Sequence, residues 1–241
     1  MMWDSTYAET GHADRNIALR NRPDLKPVEE RMNIVSNRVV DTDPHSNTTL
    51  RLESALEAGL VALFKVQPGV IAVMAQYQVE ICIDGIWHTY WFDICVDFEN
   101  GCRAFYAVRN EENAEEVELL VELFRNQELK NHGHFAFVMT EEDISKPAIY
   151  RAEQIVQARR KDNKRNNGLV YQTLMQAGGR ERLGNVFLAI QEIIPPSVAW
   201  DAVWSLIDQG VICHDHPDAH NLFLKNHSWI RVVGRENDEE E

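Results

Sequence analysis

Three charged residues, far apart in the sequence, are of the types that act together on phosphate esters. Glu57 lies in a predicted amphipathic helix, Asp93 lies within a predicted strand, and Arg109 ends the following strand. Carboxylate oxygens are preferred ligands of Mg²⁺ and Mn²⁺, and a guanidinium can hold a phosphate through two parallel hydrogen bonds. If the fold brings the three residues together, they can form a site for phosphodiester chemistry.

Asp93 is the most informative of these residues. A charged side chain inside a strand is seldom buried unless it is paired or bound to a metal. The alternative is that Asp93 faces solvent on an edge strand. Glu53 and Glu57 are one helical turn apart, and the alternative for both is a solvated helix surface.

The elements that would position these residues form a helix followed by an antiparallel meander. Apolar residues recur at helical spacing from about Thr48, and Gln67-Pro-Gly ends that helix. Alternating apolar residues predict the strands that follow, and Asp84-Gly85 predicts a hairpin turn. The predicted strands are 70–74, 77–83, 87–97 and 102–108.

A second group of elements completes the predicted sheet. A helix is expected at 110–130, a buried strand at 134–140, and a further helix from Pro147 to about Lys161. A strand–helix–strand unit of this kind packs its helix against the sheet. The sequence therefore predicts an α/β (α+β) fold with a mixed sheet flanked by helices.

The remainder of the chain predicts a small, separate domain. Three helices are expected over 169–209, followed by short strands at 211–213, 222–224 and 229–233, which is the outline of a winged helix. The predicted organisation is an arm at 1–48 with a short strand at 33–40, a first domain at 49–160, a linker at 161–168, a winged-helix-like domain at 169–234 and a disordered acidic tail at 235–241.

The third helix of this outline would face DNA, but Val198 to Asp208 contains no Arg or Lys. We therefore place protein–protein docking slightly ahead of base reading for this domain. Trp200 and Trp204 lie on one helix face, and we expect core packing there, with a base-stacking platform as the alternative.

Composition restricts the class of protein. Neither a membrane span nor a signal peptide is apparent, and the four cysteines contain no CxxC pair, which together predict a cytoplasmic protein. A net charge of −14 argues against a generic nucleic-acid coat. One basic segment remains compatible with DNA contact, and equally with a solvated helix. Its candidate nucleic-acid-binding residues are Arg159, Arg160, Lys161, Lys164 and Arg165.

The stretch from about 50 to 155 resembles the TnsA endonucleases of transposons. The order and spacing of several short segments carry this likeness, whereas each segment alone is weak. The segments are Glu53-Ser-Ala-Leu-Glu57, Gln67-Pro-Gly-Val70, Ala75-Gln-Tyr77, Tyr90-Trp-Phe-Asp93, Ala107-Val-Arg109, Thr140-Glu-Glu-Asp-Ile and Pro147 to Gln154. The resemblance implies a PD-(D/E)xK nuclease domain of restriction-endonuclease-like fold, followed by a winged-helix-like domain.

The resemblance also implies roles for individual residues. Glu57 would be the helix acid, Asp93 the central metal ligand, and the Val108 carbonyl a further ligand of Mg²⁺ or Mn²⁺. Arg109 stands where the family has a catalytic lysine, and unlike lysine it cannot release a proton. Ala107 stands where the family has an acid or Gln.

The loss of an oxygen ligand at Ala107 should weaken metal binding. Glu80, Gln76 and, less directly, Glu53 could supply a substitute. We expect a weakened or inactive site, and a working Mg²⁺-dependent endonuclease is the alternative.

Three functional hypotheses follow. The first is a TnsA-like protein that acts on DNA in transposition or another mobile-element process, with a transposase, recombinase or ATPase as partner. The second is a catalytically inactive module of the same fold that binds DNA or a recombinase. The third is a regulatory or defence protein of a mobile element that acts through protein contacts alone.

Other candidate chemistry is sparse. The segment Cys213-His214-Asp-His216, with His220 and His227, is rich in metal-ligand types but lacks a second nearby cysteine. We expect a polar loop there, with a metal site as the alternative. The sequence contains no phosphate-binding glycine loop and no dinucleotide fingerprint.

Overall fold

The structure, a computed structural model, describes residues 39–234. Residues 1–38 of the predicted arm (1–48), most of the predicted strand at 33–40 and the predicted tail at 235–241 lie outside the described residues, whereas residues 39–43 of the arm form a strand. The described residues divide into two compact units, 39–145 and 146–234. None of the helices described is long and apolar enough to span a membrane.

The first unit combines a small hairpin, a larger sheet and helices. Its strands are β1 (Val39–Asp43), β2 (Thr48–Leu52), β3 (Val70–Ile83), β4 (Ile86–Phe98), β5 (Arg103–Val108) and β6 (Phe135–Met139), and its helices are α1 (Ala55–Val66), α2 (Ala114–Gln127) and α3 (Leu129–His132). A 3₁₀ turn at Glu111–Asn113 precedes α2.

The larger sheet has the strand order β3-β4-β5-β6 and mixed direction. β3, β4 and β5 pair antiparallel, whereas β6 pairs parallel to β5, because α2 and α3 return the chain between them. Helix α1 contacts β3 and β4, and α2 contacts β3 and β6. This arrangement confirms the predicted mixed α/β class, with a four-stranded mixed sheet flanked by helices.

The β3–β4 hairpin turns where the sequence predicted it. Ile83 pairs with Ile86, and Asp84 and Gly85 both have positive φ, at 52° and 81°. A two-residue turn with positive φ at both positions matches the twist of the strands that it joins.

An aromatic cluster forms the core between the sheet and α2. Phe92, Phe105 and Phe124 contact one another with ring centroids 5.0 to 5.5 Å apart, and all three side chains are fully buried. Burial of a large apolar side chain stabilises the folded state by about 2–3 kcal/mol. The core therefore fixes β4, β5 and α2 as one framework, from which the polar residues at the strand ends project.

The predicted start of the first helix was wrong. Thr48–Leu52 is a strand that pairs with β1, and the helix begins after the N-cap Ser54. The apolar residues before the helix have helical spacing by coincidence, whereas Thr-Thr-Leu-Arg-Leu also alternates as a strand would.

The second unit contains four helices and three short strands. They are α4 (Lys146–Arg160), α5 (Lys164–Gln176), β7 (Arg180–Arg182), α6 (Leu183–Ile190), α7 (Pro196–Asp208), β8 (Ile212–His214) and β9 (Trp229–Val232). The strands pair antiparallel in the order β7-β9-β8. The predicted strand at Leu222–Leu224 is wrong, because β8 pairs with β9 and the third strand is Arg180–Arg182.

Helix α4 belongs to the second unit because it packs against α7. The division between units therefore falls after Ser145, whereas the sequence had suggested residue 160. Only residues 161–163 separate α4 from α5. Asn163 is the N-cap of α5, and its side chain accepts hydrogen bonds from two of the first amides of that helix.

Candidate functional site

Glu57 is held at the start of α1 by a reciprocal cap. The Ser54 hydroxyl accepts a hydrogen bond from the Glu57 amide at 3.1 Å and donates one to Glu57 Oε1 at 2.9 Å. The Glu53 amide donates to Glu57 Oε2 at 2.9 Å. This is a capping box, with Ser at the N-cap and Glu three residues later. The sequence contains this capping-box pattern, but the prediction of a helix that begins at about Thr48 concealed it.

Asp93 lies at an irregular point of the sheet. The β3–β4 register joins Ala75 to Ile94 and Tyr77 to Phe92, but the intervening Gln76 has a φ of 58° and does not pair with Asp93. Pairing between β4 and β5 also begins only at Ile94. Breaks of this kind re-aim side chains and are common beside functional sites.

Arg109 contacts two atoms that the resemblance assigned to a metal. Its Nη1 donates to Asp93 Oδ2 at 2.7 Å and to the Val108 carbonyl at 2.6 Å. The Val108 amide also donates to Asp93 Oδ2, at 2.7 Å. The structure therefore brings Asp93, Val108 and Arg109 into one cluster, and the positive charge within it is a guanidinium.

Glu57 belongs to the same electrostatic neighbourhood. Burial raises the pKa of Glu57 to about 7, the amide of Glu53 opposes this rise, and the negative charge of Asp93 adds to it. Burial also raises the pKa of Asp93, although Arg109 and the Val108 amide counteract the rise. The Glu57 carboxyl is therefore partly protonated near neutral pH and can donate a hydrogen bond as well as accept one.

These residues, as arranged, do not fit a divalent metal. Asp93 Oδ2 and the Val108 carbonyl both accept from Arg109, and both Glu57 oxygens accept from the start of α1. Across residues 39–234, no group of three or more His, Cys, Asp or Glu side chains is placed to hold a metal ion. Mg²⁺ needs several hard oxygens in near-octahedral geometry, and of the oxygens of Glu57, Asp93 and the Val108 carbonyl, only Asp93 Oδ1 accepts no hydrogen bond from the described residues.

Of the proposed substitutes for the missing acid, Glu80 has other partners, whereas Glu53 lies near the site. Ala107 is fully buried within the aromatic core cluster, so an acid at this position would bury a charge among phenylalanines. Glu80 accepts hydrogen bonds from Thr89 and Gln78 on an exposed part of the hairpin. Glu53 lies close enough to raise the pKa of both Glu57 and Asp93.

Tyr90 is a site residue that the sequence did not identify as one. Its hydroxyl is buried and has no hydrogen-bond partner among the described residues. Burial raises the pKa of Tyr90 to about 12, and the charges of Arg109 and Asp93 also act on it. An unpaired buried hydroxyl costs about 1–3 kcal/mol. No sequence signal distinguishes Tyr90 from a core aromatic residue.

The basic segment of the second unit is partly neutralised by acids of α7. Arg159 makes two hydrogen bonds with Asp208, at 2.7 and 2.8 Å, and Lys161 lies 3.1 Å from Asp201. The other three candidate residues, Arg160, Lys164 and Arg165, are exposed. A role for all five in nucleic-acid binding stays a prediction.

Helix α7 buries one face within the second unit. Ala199, Val203 and Trp204 are among its buried residues, and Trp200 donates a hydrogen bond to Gln154 of α4. Trp200 and Trp204 contact each other edge-on and pack within this unit, as expected for core residues. The charged residues of this helix are Asp201 and Asp208, and their negative charge disfavours contact with DNA phosphates.

The histidine-rich segment after Ile212 is a structured loop. His214 is buried, and Asp218 accepts a hydrogen bond from Asn221. No metal-type cluster forms among its described residues.

No protein-family model matches this chain, and no curated protein matches it.

Proposed function

We propose that this chain is a TnsA-like, nuclease-fold subunit that acts on DNA in transposition or a related mobile-element process without cleaving it. One observation carries the proposal. Arg109 Nη1 lies between Asp93 Oδ2 and the Val108 carbonyl, the two atoms that would otherwise face a metal. The protein thus supplies its own fixed cation at the centre of the site.

The order of elements supports a restriction-endonuclease-like first unit. A helix, three antiparallel strands, a helix and a parallel strand follow one another as α1, β3, β4, β5, α2 and β6. The Glu, Asp and Arg side chains lie on α1, on β4 and just after β5, which is where the resemblance to TnsA requires them. This agreement supports shared ancestry, while the contacts of Arg109 support a changed chemistry.

Arg109 retains the capacity to bind phosphate. Its side chain is 34% exposed, and its Nε and Nη2 groups have no partner among the described residues. A guanidinium presents five donors, so one nitrogen can hold Asp93 while the others face an anion. We therefore assign Arg109 to contact with the DNA backbone, with Asp93 and Val108 as its positioning groups.

The second unit supports contact with a protein partner. The order of helix, strand, two helices and two strands supports a winged-helix assignment, with α5, α6 and α7 as the three helices. The third helix carries two acids and no Arg or Lys, so base reading by this helix is disfavoured. The second unit is therefore better suited to bind a recombinase or another transposition protein than to enter a DNA groove.

Metal binding and cleavage provide the decisive experiment. We expect wild-type protein to bind no Mn²⁺ at micromolar concentration by electron paramagnetic resonance, and to leave supercoiled plasmid intact with Mg²⁺ or Mn²⁺. Arg109→Ala should bind Mn²⁺ measurably, because it frees Asp93 Oδ2 and the Val108 carbonyl. Adding Asp93→Asn to that variant is the matched control and should remove the gained site.

DNA binding is measured separately. Fluorescence anisotropy with a labelled duplex should show salt-dependent binding by wild type, weakened by Arg109→Gln. Absence of DNA binding by wild type, with no metal site, would leave only the protein-contact hypothesis.

A working endonuclease is the second candidate. The raised pKa of Glu57 favours it, because strongly shifted pKa values are common at active sites, and the partial exposure of Arg109 leaves the site accessible to a substrate. Plasmid nicking that requires Mn²⁺ and disappears in Asp93→Ala would establish this candidate and overturn the first.

A further inference from the structure

The outer face of the small sheet in the second unit carries three arginines. Side chains alternate between the two faces of a strand, and the inner face of this sheet is apolar. Its buried apolar residues are Ile212, Ile230 and Val232. On the opposite face, Arg180 is the direct ladder partner of Arg231, and Arg182 is that of Trp229. The three guanidiniums therefore lie on one side of the sheet, and we call this surface the arginine face.

The guanidiniums of the arginine face are held in place by neighbouring residues. Arg180 Nε donates to Asp215 Oδ2 at 2.5 Å, and Arg231 Nε donates to Asp215 Oδ1 at 3.0 Å. The guanidiniums of Arg180 and Arg182 lie over the Trp229 ring, 4.6 and 5.4 Å from its centroid. Both kinds of contact fix a cation that would otherwise lose side-chain freedom when it binds an anion. The three arginines are therefore positioned before any ligand arrives.

The arginine face also carries more positive charge than its own carboxylate neutralises. Asp215 serves both Arg180 and Arg231, whose side chains are 45% and 38% exposed. Glu181 lies between Arg180 and Arg182 in β7 and so belongs to the other face of that strand. Arg180 and Arg231 each use Nε for Asp215, and their Nη groups have no partner among the described residues. These free donors can bind an anion.

The basic segment at the junction of α4 and α5 differs in this respect. Arg159 and Lys161 each have a carboxylate of α7 to themselves. On the arginine face, by contrast, two guanidiniums of like charge are direct cross-strand partners and share one carboxylate. Like charges in that position destabilise a sheet, and a bound anion relieves the repulsion. In a chain with a net charge of −14, this surplus of fixed positive charge favours a polyanionic partner.

The three cations form a row and not an enclosed pocket. Arg180 and Arg182 are two residues apart on β7, which is an edge strand of this sheet, so they are about 7 Å apart along the strand. Arg231 lies across from Arg180 on the neighbouring strand, about 5 Å away. A chain of regularly spaced phosphates can contact such a row, whereas one small anion reaches only part of it. The DNA backbone has this regular spacing of charge.

We propose that the arginine face binds the phosphate backbone of DNA. The inference rests on the proposed role of this protein on DNA, and it assigns to the second unit a DNA contact that does not involve helix α7. Contacts between arginine and phosphate position a protein on the duplex and carry no sequence information. The arginine face therefore orients the protein and does not read bases.

The test is fluorescence anisotropy of a labelled duplex titrated with the full chain at several salt concentrations. Arg182→Gln removes one guanidinium and leaves both ion pairs of Asp215 intact. We expect it to weaken binding by about fivefold at physiological salt and to reduce the slope of log K against log salt by about 1. Arg182→Lys keeps the charge and should restore most of the affinity. Arg51→Gln removes the same charge from an exposed position on β2 and is the matched control.

Unchanged affinity and salt dependence in Arg182→Gln would overturn the proposal. Equal weakening by Arg51→Gln would overturn it too, because the effect would then be one of net charge alone. Arg109→Gln in the same assay separates this inference from the role proposed for the first unit. Weakening by Arg182→Gln alone supports the arginine face and rejects DNA contact by Arg109, whereas weakening by Arg109→Gln alone rejects the arginine face. If wild type binds no DNA, this inference fails, and the gain of Mn²⁺ binding in Arg109→Ala still decides the first-unit site.

Discussion

Two Arg–Asp pairs of opposite character lie on strands β4 and β5 or directly beside them. Asp97 and Arg103 are direct partners in the ladder, joined by two hydrogen bonds of 2.6 and 2.9 Å, with side chains 5% and 0% exposed. Asp93 and Arg109 lie beyond the other end of that ladder, with side chains 10% and 34% exposed. A single Arg109 nitrogen, Nη1, donates to Asp93. We call Asp97–Arg103 the closed pair and Asp93–Arg109 the open pair.

The difference between these two pairs indicates which of them can take part in a binding site. In the closed pair both Asp97 oxygens are used, and the Arg103 guanidinium also lies 5.6 Å from the Tyr77 ring centroid. In the open pair one Asp93 oxygen and several Arg109 donors remain available, beside the Glu57 carboxyl. The closed pair can join the two strands, whereas the open pair, which lies where β4 and β5 separate, can also bind a ligand.

The largest effect is expected from opening the closed pair. Arg103→Met leaves Asp97 charged and buried, and we predict a loss of about 3–5 kcal/mol in the free energy of unfolding. Arg109→Met should cost about 1 kcal/mol, because that pair is partly solvated. Urea denaturation of the two variants measures both values. Equal losses would show that the two pairs do not differ as described.

The free energy of unfolding should depend on pH through Glu57, which lies near the open pair. Its pKa is raised from 4.5 to about 7 in the folded protein, so the folded state holds this proton more tightly than the unfolded state. Stability from this group is therefore full below the unfolded-state pKa and falls as the pH rises through the folded-state pKa, by up to about 3 kcal/mol.

Glu57→Gln removes this titration and keeps the capping box, since Gln serves at that position. We predict that the variant gains stability relative to wild type as the pH is raised from 5 to 8, a range that spans the folded-state pKa of about 7. Glu116→Gln, on the exposed side of α2, is the control. A wild-type curve parallel to that of Glu57→Gln would contradict the assigned pKa.

Local patterns predicted much of the framework. Alternation and the Asp84-Gly85 turn placed the long hairpin, and the apolar spacing after residue 114 placed α2. The strand Arg180–Arg182 escaped prediction because Arg-Glu-Arg has no apolar alternation. The start of α1 was misplaced although the pattern from Ser54 to Glu57 gives a local cap signal.

The site was less predictable because its decisive contacts are not local. Residue types pointed to Asp93 and Arg109, but the hydrogen bond between them depends on where β4 and β5 separate. No sequence signal places Gln76 at positive φ, since that conformation is imposed by the surrounding sheet. The pairing of Arg159 with Asp208 joins positions 49 apart, which no periodicity reveals.

A smaller effect is expected on the open pair itself from Arg109→Gln. Loss of the guanidinium removes the main group that counteracts the burial of Asp93, so we predict a further rise in the pKa of Asp93. Carboxyl carbon NMR across a pH titration measures this rise directly. Arg125→Gln, which removes a guanidinium bound to Glu118 and Ala136, should leave the Asp93 titration unchanged.

The smallest effect is expected for the exposed pair between Arg159 and Asp208. The geometry is bidentate, as in the closed pair, but Arg159 is 43% exposed, and solvent screens its attraction to Asp208. We predict that a double-mutant cycle with Arg159→Gln and Asp208→Asn gives a coupling of about 0.5 kcal/mol. Arg160→Gln, one residue away, should show no coupling to Asp208→Asn. A coupling as large as the loss at Arg103 would mean that geometry, and not burial, separates the closed pair from the open one.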